Sequence, residues 1–183
     1  MVKKGSFVIS GGVGFCNAVR RTILSDLKSE SPYEVEIREN TSCQTDEFIA
    51  HRIGMIPFRR VGNGDTIDLC VKDRPALASD FTGISFEPCV ELEVMTLKMG
   101  QSLNLTVKFN EHLASKHARY CKCAAVGMQK IDNEGRHRVT FETIDDSDPR
   151  IIMAATLDAL ETRVDNALLD LSLNDLPPPI SMC

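Results

Sequence analysis

Between Pro149 and Leu171, apolar side chains return every three or four residues: Met153, Leu157, Leu160, Val164, Ala167, Leu168 and Leu171. Asp158, Glu161, Arg163, Asp165 and Asp170 fall off that stripe, so the spacing predicts one long amphipathic helix. Asp148 can cap it, and Pro149 suits the first helical position, where no backbone N–H is needed. The prolines at 177–179 cannot extend it. About 22 residues make a rod of roughly 33 Å. A seam of that length has to be covered by the chain's own core, by a partner's helix, or by both.

The remaining chain is sized to supply a core. It has 183 residues, enough for one compact unit or two interlocked ones. Hydrophobic residues at 43% and charged residues at 26% exclude wholesale disorder. No uncharged apolar run reaches the roughly 20 residues of a membrane span, and the start, MVKKGSFVISGG, is too weakly apolar for a signal peptide. The expected chain is soluble, intracellular and not exported. Its seven cysteines, at 16, 43, 70, 89, 121, 123 and 183, are then free thiols in a reducing compartment. Cys16 and Cys43 read as small core hydrophobes. Net charge is −5, and the acidic excess collects after residue 138 while the first 60 residues are mildly basic. That distribution suits protein partners better than nucleic acid, which calls for a basic stripe.

Along the chain, Phe7-Val8-Ile9 reads as a strand closed by Gly11, Gly12 and Gly14. A helix over 15–28 follows, with Cys16, Val19, Ile23 and Leu27 on one face, and Pro32 is expected to stop it. Tyr33, Val35 and Ile37 alternate with charges, the pattern of a half-buried strand. Thr45 to Pro57 carries a full set of helix signals. Thr45 can cap, Asp46 and Glu47 favour the positive end of the dipole, and Phe48, Ile49 and Ile53 form the buried face. His51 and Arg52 suit the last turn, Gly54 a left-handed cap, and Pro57 forbids resumption. Residues 62–85, rich in Gly, Asp, Pro and Ala, are expected to be irregular. Strands are expected over 89–97, 103–109, 124–131 and 139–144, with a polar loop containing a helical turn at 110–120.

No catalytic constellation emerges. The glycines at 11, 12 and 14 lack the spacing of a phosphate-binding loop. The four histidines are scattered through helix ends and loops, and Asp145, Asp146 and Asp148 read as a capping turn. His117, Cys121 and Cys123 are the one set of soft ligands near each other in sequence, though Cys-x-Cys is not the usual pair of a structural zinc site. A small intracellular metal- or thiol-dependent enzyme using these three residues is the alternative reading.

Two stretches point elsewhere. Asn17-Ala18-Val19-Arg20-Arg21-Thr22-Ile23-Leu24 resembles the helix motif of the assembly-platform subunits of multisubunit RNA polymerases. These are the bacterial alpha subunit, the archaeal D subunit and the third-largest subunit of eukaryotic RNA polymerase II. VEIRENTSCQTDEFIAHRIGMIPFR, residues 35–59, is similar to that family's signature, most closely in its archaeal and eukaryotic branch. Weaker similarity continues over 98–131 and 137–171.

The resemblance implies an α+β fold. A dimerisation domain would be built from both chain ends, 1–40 and 136–175, as a sheet with two long helices. A mainly-β domain, 41–135, would be inserted between them, and 176–183 would form a proline-rich tail. It implies a non-catalytic assembly subunit of a DNA-dependent RNA polymerase, in the nucleus or cytoplasm. Such a subunit pairs with a smaller homologous subunit and docks the second-largest and largest subunits, alongside small accessory subunits. DNA and RNA are met only through the complex, and no membrane is involved. The implied dimer interface is Val19, Ile23, Leu27, Met153, Leu157, Leu160, Val164, Leu168 and Leu171. The implied docking residues are Asn17, Arg20, Arg21, His51, Arg52 and Pro57, where arginine's rigid fork of donors suits carboxylates or carbonyls on a large partner. The chain itself is expected to bind no cofactor or metal, the magnesium of nucleotide addition belonging to the large subunits. The clustered cysteines that many relatives carry in the insert are missing, since only Cys70 and Cys89 follow Pro57 there before Cys121. The pattern suits a compact member, such as one from a large DNA virus or a reduced genome.

Overall fold

The computed structural model describes residues 3–173, so the expected tail at 176–183 lies outside the described residues. In chain order the elements are β1 (Lys4–Ser10), α1 (Val13–Ser25), β2 (Lys28–Asn40), α2 (Asp46–Gly54), β3 (Phe58–Arg60), β4 (Thr66–Lys72), β5 (Ala76–Leu77), β6 (Phe81–Thr82), β7 (Phe86–Pro88), β8 (Glu93–Met95), β9 (Ser102–Leu113), β10 (Cys123–Lys130), β11 (Arg136–Thr143) and α3 (Pro149–Leu173). Short 3₁₀ turns occupy Ala78–Asp80 and Ala118–Tyr120. The class is α+β, as expected.

Two antiparallel sheets each gather their own core. The first runs β1-β11-β10 and joins the two ends of the chain, with Lys4 opposite Glu142 and Ser10 opposite Arg136. Phe7 and Phe141 stack across it with ring centroids 5.9 Å apart. Gly5 makes room for the Phe141 ring, because a Cβ there would stand 2.7 Å from Cζ. The helices α1 and α3 pack together over this sheet, sealing Val19, Ile23, Leu27, Cys123, Val139, Phe141, Ile152 and Met153 from water. Arg163 pairs with Asp26 at 2.6 Å, tying α3 to the end of α1.

The second sheet runs β2-β9-β4-β6, with α2 packed on β2 and β8. Ile49 and Ile53 of α2 enter a core with Phe58, Ile67, Leu69, Leu103, Leu105 and Val107. Phe109 stacks on Phe86 at 3.7 Å and meets Phe58 edge-on at 5.2 Å. Arg60 fixes the neighbouring loop. Its guanidinium reaches both oxygens of Glu30 and the Gly64 carbonyl, and lies 4.5 Å from the Phe86 ring centroid.

The capped helix starts behave as read. The Thr45 hydroxyl accepts from the Phe48 N–H, and the Asp148 carboxylate accepts from the Arg150 N–H at 2.9 Å. Five expectations need correction. Helix α1 ends at Ser25, well before Pro32, which instead lies inside β2. An edge strand tolerates proline where a ladder N–H is dispensable, and the register shifts between Pro32 and Glu34. Residues 62–85 are not wholly irregular: Ile67, Leu69 and Val71 of β4 alternate inward in the centre of the second sheet. The single strand expected over 89–97 is confined to β8, with β7 ending just before it at Pro88. Gly54 is no left-handed cap. It closes α2 without a positive φ, and the C-cap is Met55 at φ −97°. Phe48 is exposed because α2 turns only its Ile49/Ile53 edge to the core, and Cys43 is exposed in the turn that leads into α2.

Candidate protein-interaction surfaces

The apolar stripe of α3 divides in two. Ile152, Met153 and Thr156 face the chain's own sheet, and Leu160 is half-buried against the same core. Beyond Leu160 every residue to Leu171 is exposed. The expected interface residues divide accordingly. Val19, Ile23, Leu27 and Met153 are buried in the chain's own core. Leu157, Val164, Leu168 and Leu171 are exposed. They flank two grooves beside α1. One, of about 390 Å³, is lined by Ala18, Arg21, Leu160, Val164, Leu168 and Leu171. The other, of about 360 Å³, adds Phe15, Leu157 and Glu161. Phe15 is exposed beside this seam although it shares the four-residue spacing of Val19, Ile23 and Leu27, because it lies at the edge of that face in the first turn of α1.

The expected docking residues sit on both units. On α1, Asn17 accepts two hydrogen bonds from Arg20, at 3.1 and 3.0 Å, which hold the guanidinium against the helix. Arg21 is exposed and lines the α1–α3 groove rather than a separate patch. On α2, Phe48, His51, Arg52 and Met55 are exposed at steps of three and four, a mixed apolar and basic stripe opposite Ile49 and Ile53. Arg52 donates to the Glu93 carbonyl at 2.8 Å and lies 5.9 Å from the Phe48 ring centroid. A pocket of about 330 Å³ opens beside it, among Cys43, Glu93, Thr96 and Lys98. Pro57 is half-buried and its carbonyl accepts from the Cys89 N–H at 2.9 Å, so it sets the path into β3.

The residues of the metal or thiol alternative are not assembled. His117 accepts from the Arg119 N–H at 3.1 Å and caps the 3₁₀ turn at Ala118–Tyr120. Cys123 is buried in the first core, where desolvation, with Asp145 nearby, pushes its thiol up to about 12. Among the described residues, no three His, Cys, Asp or Glu side chains converge as metal ligands. The acidic turn is a cap and pairing segment: Asp145 faces Lys122 at 3.7 Å, Asp146 faces Lys3 at 3.5 Å, and Asp148 starts α3.

Comparison with known proteins points mainly to one group. No family model matches the chain. The DNA-directed RNA polymerase subunit Rpo3 of Methanocaldococcus jannaschii is 24% identical over 186 aligned positions, covering 91% of this chain and 90% of that protein. Rpo3 of Thermococcus kodakarensis is 54% identical over 53 residues, 28% of this chain and 20% of the relative. The DNA-directed RNA polymerase II subunit RPB3 of Schizosaccharomyces pombe is 42% identical over 53 residues, 28% of this chain and 18% of the relative. One match is thus shallow and runs nearly end to end, while the steeper ones each cover less than a third of the chain. At low identity over most of its length and higher identity over a short stretch, the chain is similar to the third-largest RNA polymerase subunit of archaea and eukaryotes.

Proposed function

We propose that this RNA polymerase subunit is an assembly platform that pairs with a smaller homologous subunit through the α1–α3 face. The observation that carries the reading is the exposed apolar row on the C-terminal half of α3. From Glu161 to Leu171 every residue is exposed, and the helix presents Val164, Leu168 and Leu171 in one row. That is about 16 Å of helix, long enough to form half of a bundle-like seam with an equivalent helix. Phe15 and Leu157 extend the row toward the sheet.

The α2 stripe then docks the large subunits, Arg52 and His51 offering donors around the Phe48 and Met55 contacts. Magnesium and nucleotide addition belong to those subunits, at an intracellular site of transcription. The pairing unit contains the chain ends. The ladder between β10 and β11 favours extending it back to residue 123, and the ladder between β2 and β9 favours counting residues 28–40 with the insert.

The test is affinity purification of the tagged chain from its source cells, with mass spectrometry of every co-purifying chain. A small homologue and two large chains support the platform. Recovery of this chain alone in gentle salt sinks it. Phe48→Ala with Arg52→Ala separates the faces: the small homologue should stay and the large chains should fall away.

A further inference from the structure

The docking stripe rides on a helix of nine residues, and its last turn is held from outside by a residue far away in sequence. The glycine closing α2, Gly54, is buried with an ordinary helical conformation, so no backbone strain calls for it. A Cβ placed there would stand 3.2 Å from Arg119 Cζ and 3.3 Å from its Nη1. The guanidinium therefore lies against the bare backbone of the helix. It has little room to retreat. Arg119 Nη1 donates to the Pro32 carbonyl at 2.7 Å, and its Nε faces His117 Nδ1 at 3.3 Å. The Arg119 carbonyl accepts from the Ser31 hydroxyl at 2.6 Å, which fastens the 3₁₀ turn to β2. Arg119 thus joins α2, β2 and the 118–120 turn at one point.

We infer that Arg119 is a positioning residue for docking, clamping α2 on Gly54 so that Arg52 and Met55 are presented at a fixed angle to a large polymerase subunit. This rests on the reading of α2 as a docking face. A planar, fully charged group suits the task. It can hydrogen-bond in its plane to Pro32 while its flat side covers the glycine, which a lysine cannot reproduce.

The experiment uses the full tagged chain with Arg119→Ala, Arg119→Lys, Gly54→Ala and the double variant Gly54→Ala/Arg119→Ala. Hydrogen exchange of the α2 amides is followed on the purified chain, and the ratio of large chains to small homologue is read in pull-downs from source cells. Arg119→Ala should speed exchange in the last turn of α2 and lower that ratio on the order of tenfold, as expected for one lost charged hydrogen bond. Exchange in β1 and β11, and recovery of the small homologue, should not change. Arg119→Lys should restore only part of the loss. The double variant should be no worse than Arg119→Ala, because the added methyl enters the space the guanidinium left. Unchanged α2 exchange in Arg119→Ala overturns the clamp. So does additive damage in the double variant. If Phe48→Ala/Arg52→Ala lowers the large-chain ratio and Arg119→Ala does not, the positioning role fails while docking stands. If neither lowers it, the docking face itself is wrong, and exchange alone decides whether Arg119 fixes the helix.

Discussion

Replacing Val164 and Leu168 by aspartate should destroy pairing while leaving the fold in place. Val164, Leu168 and Leu171 keep 51%, 58% and 61% of their surface in water. Covering a whole Val or Leu is worth about 1.5–3 kcal/mol, so covering these remainders contributes roughly 3–5 kcal/mol to association. The double variant forfeits about two thirds of that and asks the seam to bury two carboxylates without partners, at several kcal/mol more if they stay charged. Glu161 and Asp165 on the same stretch sharpen the repulsion. The combined loss exceeds ~5 kcal/mol, more than roughly a thousandfold in affinity. The free chain loses little, since neither side chain enters its core. Poorer helix propensity accounts for about 1 kcal/mol, a shift of a few degrees in melting temperature. Co-purification of the small homologue reads the first effect and calorimetry of the isolated chain the second. Normal pairing would refute the interface. A collapse of the melting temperature would show that these residues already serve the chain's own core.

Three further outcomes follow from the same structure. Ile23→Ala removes a side chain that is 1% exposed between α1 and the first sheet, so urea denaturation should show a loss of about 2–5 kcal/mol. Equal stability would contradict its burial. The thiol of Cys123, raised to about 12 by burial, should resist an alkylating reagent at pH 8 in the folded chain, whereas exposed Cys43 and Cys70 react. Rapid native labelling of Cys123, mapped by peptide mass, would contradict that environment. The Asp80 carboxylate accepts from both terminal nitrogens of Arg74 at 2.7 Å and from the Leu77 N–H at 2.8 Å. The Arg74 hydrogen bonds hold it below its ordinary value of 3.8, with burial opposing. A depressed carboxylate stabilises the fold above its unfolded value and loses that contribution as pH falls through the folded one. Asp80→Asn should therefore melt below the wild type at pH 7, and the gap should close only under pH 3.8. A gap that persists unchanged into acid would assign it to shape rather than charge.

Much of this architecture is legible in the residues, and the parts that are not share a cause. Local signals survive folding: Thr45, Asp148 and Pro149 mark helix starts because capping is decided within one turn. Periodicity places Val19, Ile23, Met153 and Leu168 on helical stripes, but a stripe does not say what will cover it. Only the position of the first sheet sends Met153 inward and leaves Leu168 in water. Strand β4 alternates cleanly at Ile67, Leu69 and Val71, yet Gly64, Asp65 and Asp73 around it read as a connection. Pro32 looks like a stop because the edge position of β2 is a property of the sheet. The meeting of Gly54 with Arg119 joins residues 65 positions apart, and no spacing rule reaches that far.

The closing of the first sheet by both ends of the chain sets a schedule for synthesis. Residues 28–113 can pair β2, β4 and β9 as soon as they leave the ribosome. Strand β1 and helix α1 must wait for β11, whose residues emerge more than a hundred positions later. At ordinary elongation rates that wait is on the order of ten seconds. Throughout it, Val19, Ile23 and Leu27 lack the surface that shields them in the finished fold, a natural target for a holding chaperone. The exposed C-terminal half of α3 emerges later still. A chain truncated before α3 therefore lacks the face proposed for pairing.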